Sequence, residues 1–72
     1  PQRILKIGCF GEDVKALKIL LQSTAGENPF LMGENMFFGL STKHAVQRFQ
    51  RHLGMRADGI VTSELWDKLT EV

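Results

Sequence analysis

No stretch of this chain stays apolar for the roughly 18 residues that a membrane-spanning helix needs, so no membrane partner is expected. Cysteine is nearly absent: the single Cys9 cannot close an internal disulfide, and near Gly8 and Gly11 its thiol reads as incidental. Charge of neither sign is in excess. Nine Lys and Arg against eight Asp and Glu leave a net charge of +1, which gives no ground for a polyanion-binding protein. Chemistry-bearing motifs are equally sparse. No nucleophile is paired with a base, and no glycine-rich sequence could cradle a phosphate. His44 and His52 are too far apart to ligate from adjacent turns, with no Cys, Asp or Glu at ligand spacing beside them. No catalytic residue, metal or cofactor is therefore expected, and the chain is read as not being an enzyme.

What remains is a small folded unit. The 72 residues, 43% of them hydrophobic, suit a single domain over residues 1–72. A domain of this size buries only about 60% of the surface its unfolded chain exposes, which leaves room for one compact core and not for a large enclosed cavity. Because it begins at Pro1 rather than Met, the sequence is expected to be excised or processed from a larger protein.

Residues 1–10 form an arm whose Ile4, Leu5 and Ile7 are expected to lie across the core. Glu12 and Asp13 complement the positive end of a helix that takes shape at Val14. On that helix Val14, Leu17, Leu20 and Leu21 share one face, Lys15, Lys18 and Gln22 point elsewhere, and Ile19 sits off the stripe, to be covered by the arm or a loop or left exposed. Gly26 is placed to end it. Residues 27–38 carry Pro29, Gly33 and Asn35 and no helical period, so they read as a long connection. Several of its apolar side chains, Phe30, Leu31, Met32, Met36, Phe37 and Phe38, must roof the core.

A second helix is expected from Ser41 or Thr42 to Leu53, capped by Ser41. Its stripe is Ala45, Val46, Phe49 and Leu53, and its outer face is basic through Lys43, His44, Arg48, Arg51 and His52. Gly54 closes it. Ala57-Asp58-Gly59-Ile60 is a turn with a mechanism, since Asp58 can accept nearby backbone N–H groups and Gly59 can take a positive φ. A third helix follows with Ser63 as its cap, Glu64 in its first turn, Leu65, Leu69 and Val72 on one face and Trp66 flanking it. The run from Phe37 to Gln50, a loop feeding a helix, recurs in shortened form from Asp58 to Trp66. The fold class is therefore all-α: a small three-helix bundle built around two degenerate loop-helix repeats, with a long loop between helices 1 and 2.

These residues resemble a known family. Leu5-Lys6-Ile7-Gly8, Gly11-Glu12-Asp13-Val14-Lys15-Ala16-Leu17 and Leu21 come first. Phe37-Phe38-Gly39, Thr42, Ala45-Val46, Phe49-Gln50 and Leu53-Gly54 follow, then Ala57-Asp58-Gly59-Ile60-Val61, Trp66 and Leu69. In this order they are similar to the peptidoglycan-binding domain found beside the catalytic domains of many cell-wall hydrolases. The resemblance covers nearly the whole chain and implies a three-helix bundle that holds an attached lytic enzyme on the bacterial cell wall. It departs from the family pattern at Asn35-Met36, where Asp-Gly is usual, at Leu40 for Pro, at Thr62 for Gly and at Lys18 for Gln. A left-handed Met36 would cost about 1–2 kcal/mol, so the first loop is expected to follow a path of its own.

The expected function is a non-catalytic targeting module, monomeric, acting outside the cytoplasm at the cell wall, secreted, or delivered to the wall as part of a lysin. Its partners would be peptidoglycan, through glycan strand or stem peptide, and the attached catalytic domain. Exposure and location suggest Met36, Phe38, Gln47, Gln50, Arg51 and Trp66 as ligand contacts, with Lys43 and Arg48 attracting wall anions. The alternative is a propeptide or protein-interaction domain of a secreted protease, although the surroundings of Cys9 do not resemble a cysteine-switch motif. Nucleic acid is not expected as a partner. A helix-turn-helix needs about 3–4 residues between its helices, and both connections here are longer.

Overall fold

A computed structural model of the chain describes residues 3–25 and 36–70. Three helices follow one another: α1 over Glu12–Ala25, α2 over Leu40–His52 and α3 over Ser63–Thr70. Among the described residues there is no strand, only two isolated antiparallel bridges, Leu5 with Val61 and Phe10 with Phe37. The expected all-α three-helix architecture is the observed one, and α1 touches both α2 and α3.

α1 begins at Glu12, slightly ahead of Val14, because the Gly11 carbonyl already accepts the N–H groups of Val14 and Lys15. Both acidic residues therefore sit inside the first turn, at the positive end of the dipole. Val14, Leu17 and Leu21 are buried and Leu20 half-buried, as the periodicity predicts. Lys18 corrects it: at 4% exposure it is buried with them. At 100° per residue Lys18 lies about 40° from Val14, on the edge of the inward face, and only its residue type suggests otherwise. Ile19, on the opposite face, stays 54% exposed.

α2 buries Thr42, Ala45, Val46, Phe49 and Gln50. Ser41 does not cap it. Gly39 is the cap residue, extended at φ −96° and ψ −171° with no side-chain cap bond, and Ser41 lies within the first turn. The helix ends in a Schellman motif: Gly54, at φ +74°, donates to the Arg51 carbonyl (3.1 Å), and Met55 donates to that of Gln50 (2.8 Å). The reversal leaves Leu53 over the end of the core and exposed, against expectation, while Met55 packs onto the core.

α3 is capped one residue earlier than expected. Thr62 Oγ1 accepts the Leu65 N–H (3.4 Å) and its carbonyl accepts that of Trp66 (3.0 Å), so Ser63 is the first helical residue rather than the cap. Leu65, Trp66 and Leu69 are buried. Gly26, Phe30, Leu31, Met32, Asn35 and Val72 lie outside the described residues.

The arm is what joins the two repeats. Leu5 exchanges both backbone bonds with Val61, at 3.0 and 2.8 Å, the hydrogen-bonded register of an antiparallel pair. Further along, Gly8 donates to the Phe38 carbonyl, Phe38 donates to that of Cys9, and Gly11 donates to that of Met36. Phe38 and Val61 hold matching places in the two repeats, and both are fully buried. Of the three arm residues expected across the core, only Leu5 is buried; Ile4, its neighbour, points to the opposite face of the extended arm, and Ile7 is exposed where the arm turns at Ile7-Gly8, with Cys9 donating to the Lys6 carbonyl. Cys9 is half-buried and packs against the core. Arg3 fastens the arm to α1 by an ion pair with Asp13, with a second contact from Nη2 to Oδ1 at 3.0 Å.

Phe38 and Ile19 separate the core from the surface in a measurable way. Phe38→Ala is expected to cost about 3–5 kcal/mol, and Ile19→Ala to stay within about 0.5 kcal/mol, in urea unfolding followed by the fluorescence of Trp66, the sole tryptophan.

Candidate functional site

The Ala57–Ile60 turn is held against α2 by two glutamines. Gln50, 2% exposed, donates from Nε2 to Asp58 Oδ1 (2.9 Å) and to the Ile60 carbonyl (3.2 Å), and its Oε1 accepts the Gly59 N–H (2.9 Å). Gln47 Nε2 donates to the Ala57 carbonyl (3.2 Å). Asp58 Oδ1 also accepts the Ile60 N–H at 3.0 Å. That backbone bond first, and the Gln50 amide second, hold the Asp58 carboxyl below the ordinary carboxylate range, so it is anionic at neutral pH. Gly59 is required twice over. Its φ is +74°, and an added Cβ would fall 2.7 Å from Lys43 Cγ.

The locked turn forms one wall of a cleft of about 160 Å³, lined by Lys6 and Ile7 of the arm, Lys43 of α2, and Asp58, Gly59 and Ile60. Drug-sized ligand pockets are typically about 300–1,000 Å³, so this cleft admits a group the size of one amino-acid residue. Lys43 is half-buried with its alkyl stem lying over Gly59. Lys6 is exposed on the other side.

The six contacts expected from sequence do not make one surface. Phe38 is fully buried, and Gln50 and Trp66 are buried as well. Their side chains are committed to the core and to the turn, so they have almost no surface to offer a ligand. The Trp66 indole N–H is buried without a hydrogen-bond partner. Gln47 and Met36 are half-buried, the former tied to Ala57, while Arg51 is exposed on α2. Met36 does not take the left-handed conformation, since no described non-glycine residue has positive φ. Among the residues expected to attract anions, Lys43 reaches the cleft and Arg48 is exposed. Lys6, Ile7 and Ile60 were not foreseen as lining residues. The Asp58-Gly59 turn was the available signal, but nothing in the sequence pairs the arm with it. A separate apolar surface is formed by Phe10 and Phe37, 64% and 41% exposed. Bonds from Gly11 to Met36 and from Phe38 to Cys9 put the two rings in the non-hydrogen-bonded register, where facing side chains stand closest. Among the described residues no three His, Cys, Asp or Glu side chains gather as a metal site.

Residues 10–69 match the peptidoglycan binding domain family. Among solved structures, a peptidoglycan-binding protein from Clostridioides difficile in complex with glutamine hydroxamate is 39% identical with a TM-score of 0.81, the alignment covering 93% of this chain and 40% of that one. The Burkholderia AP3 phage endolysin is 32% identical with a TM-score of 0.84, over 96% of this chain and 25% of its own. The SleB N-terminal domain is 26% identical with a TM-score of 0.82, over 99% and 93%. The chain is also 39% identical over 71 residues to the chloroplastic protein disulfide isomerase pTAC5 of Arabidopsis thaliana, spanning 94% of this chain and 18% of that protein.

The Gln50 lock has two measurable consequences. Gln50→Ala strands the buried Gly59 N–H and is expected to lower the unfolding free energy by about 1–3 kcal/mol. Because the folded-state pKa of Asp58 is depressed, its stabilisation is complete above the unfolded value of about 3.9 and is lost as pH falls through the folded value. Asp58→Asn should therefore lose less stability than the native chain when denaturant midpoints at pH 6 and pH 3 are compared, with the remaining acid sensitivity due to Asp13, which Arg3 depresses in the same direction.

Proposed function

The chain belongs to the peptidoglycan-binding domain family, and from that premise we propose that it is a non-catalytic module holding an attached hydrolase on bacterial cell-wall peptidoglycan. The observation that carries the reading is the family match over residues 10–69, which takes in all three helices and the locked turn. The likeness to a phage endolysin supports the association with wall-degrading proteins. The module is a monomer working outside the cytoplasm, and the chemistry belongs to its neighbour in the parent polypeptide.

Physically, such a role suits so small a cleft. A residue-sized contact binds weakly, but tethering to a second domain or engaging a repetitive polymer raises the effective concentration and turns modest affinity into residence at the surface. One finding favours a second reading. The relative in Arabidopsis is a chloroplastic disulfide isomerase, so the same fold could tether an enzyme to a surface other than peptidoglycan.

One retention assay separates the two. The domain is expected to sediment with purified, teichoic-acid-free peptidoglycan and to be depleted from the supernatant in proportion to the wall added. Retention no greater than that of an unrelated domain of equal size and charge would overturn the wall-binding reading and leave the second.

A further inference from the structure

We infer that the cleft between the arm and the Asp58-Gly59 turn is a subsite for the carboxyl-terminal alanine of a peptidoglycan stem peptide, an inference that rests on the wall-binding reading and narrows it to the peptide rather than the glycan. Charge is the first argument. Lys6 and Lys43 both line the cleft, and neither ammonium has an ion-pair partner among the described residues. With Asp58 the one anion at the same rim, the two cations leave the hollow a net positive charge, which complements one carboxylate.

Order is the second argument. The Lys43 stem lies over Gly59, within 2.7 Å at Cγ and 3.3 Å at Cε of where a Cβ would stand. The side chain is thus partly immobilised before any ligand arrives, which reduces the entropy lost on binding. Gln50 and the Ile60 N–H fix Asp58 in its anionic form at the same rim, where it can accept a peptide N–H. Ile7 and Ile60 supply aliphatic walls suited to a methyl group. Carboxylate to the lysines, N–H to Asp58 and methyl to the isoleucines make a three-point fit to one alanine residue, which the volume of about 160 Å³ admits. Among the described residues no aromatic ring lines the cleft to offer a stacking face to a sugar.

The test is a nuclear magnetic resonance titration of the isotope-labelled domain with a diacetylated Lys-D-Ala-D-Ala tripeptide, with its carboxyl-terminal amide, and with glycan strands stripped of peptide. The free acid is expected to shift the amide signals of Ile7, Gly59 and Ile60, and the amidated peptide to bind about tenfold more weakly, the scale of one lost charge-assisted hydrogen bond. Lys43→Met and Lys6→Met keep the alkyl stems and should each weaken binding several-fold. Lys15→Met, at an exposed site on α1, should not. Equal binding of acid and amide, or full wall retention by the Lys6→Met, Lys43→Met double variant, would overturn the subsite and leave the wall-binding reading standing. So would stripped glycan that binds as well as intact wall. Failure to bind intact wall at all would overturn both.

Discussion

The Gln50 carboxamide is the contact on which the second half of the molecule depends. A neutral amide taken out of water is costly unless its donors and acceptor find partners, and here all of them go to a single turn. Its backbone carbonyl also receives the N–H groups of Leu53 and Met55 where α2 terminates. One residue thus sets both where the helix stops and where the returning chain lies. The walls of the cleft follow from that, because Lys43 can rest on Gly59 only while the turn stays against the helix.

The corresponding position on α1, the helix that precedes the loop of the first repeat, shows what has diverged. Lys18 stands to Val14 on α1 as Gln50 stands to Val46 on α2, and both are buried. A lysine offers donors and no acceptor, so it cannot receive a turn N–H as Gln50 does. Together with Met36 outside the left-handed region, this marks where the first repeat departs from the second. The repeats agree instead in their backbone frame. Gly39 and Thr62 hold equivalent cap positions, one without and one with a side-chain bond, and the matched Phe38 and Val61 both pair with the arm.

Much of this was legible in the sequence, for identifiable reasons. Helix number, the three stripes and the Asp58-Gly59 turn follow from local chemistry: apolar spacing, a carboxylate that bonds its own turn, and a glycine at positive φ. The misreadings share a cause. Residue type alone puts Lys18 and Gln50 on the surface, whereas their burial is decided by helix angle and by partners distant in sequence. Ser41 and Ser63 look like caps by composition, but a cap is set by where the backbone turns extended, at Gly39 and Thr62. The cleft was the least legible feature because the arm that forms one side finds its place only through pairings with residues far along the chain.

Those distant pairings also shape how the molecule comes together. Helical bundles fold fast when their contacts are local, and closure between remote segments slows the search. Here Leu5 cannot be covered until Val61 has been brought into place, and Val61 lies beyond the second helix. The bundle thus carries, beside its local helices, a closure that spans most of the chain from Leu5 to Val61, the class of contact that slows folding.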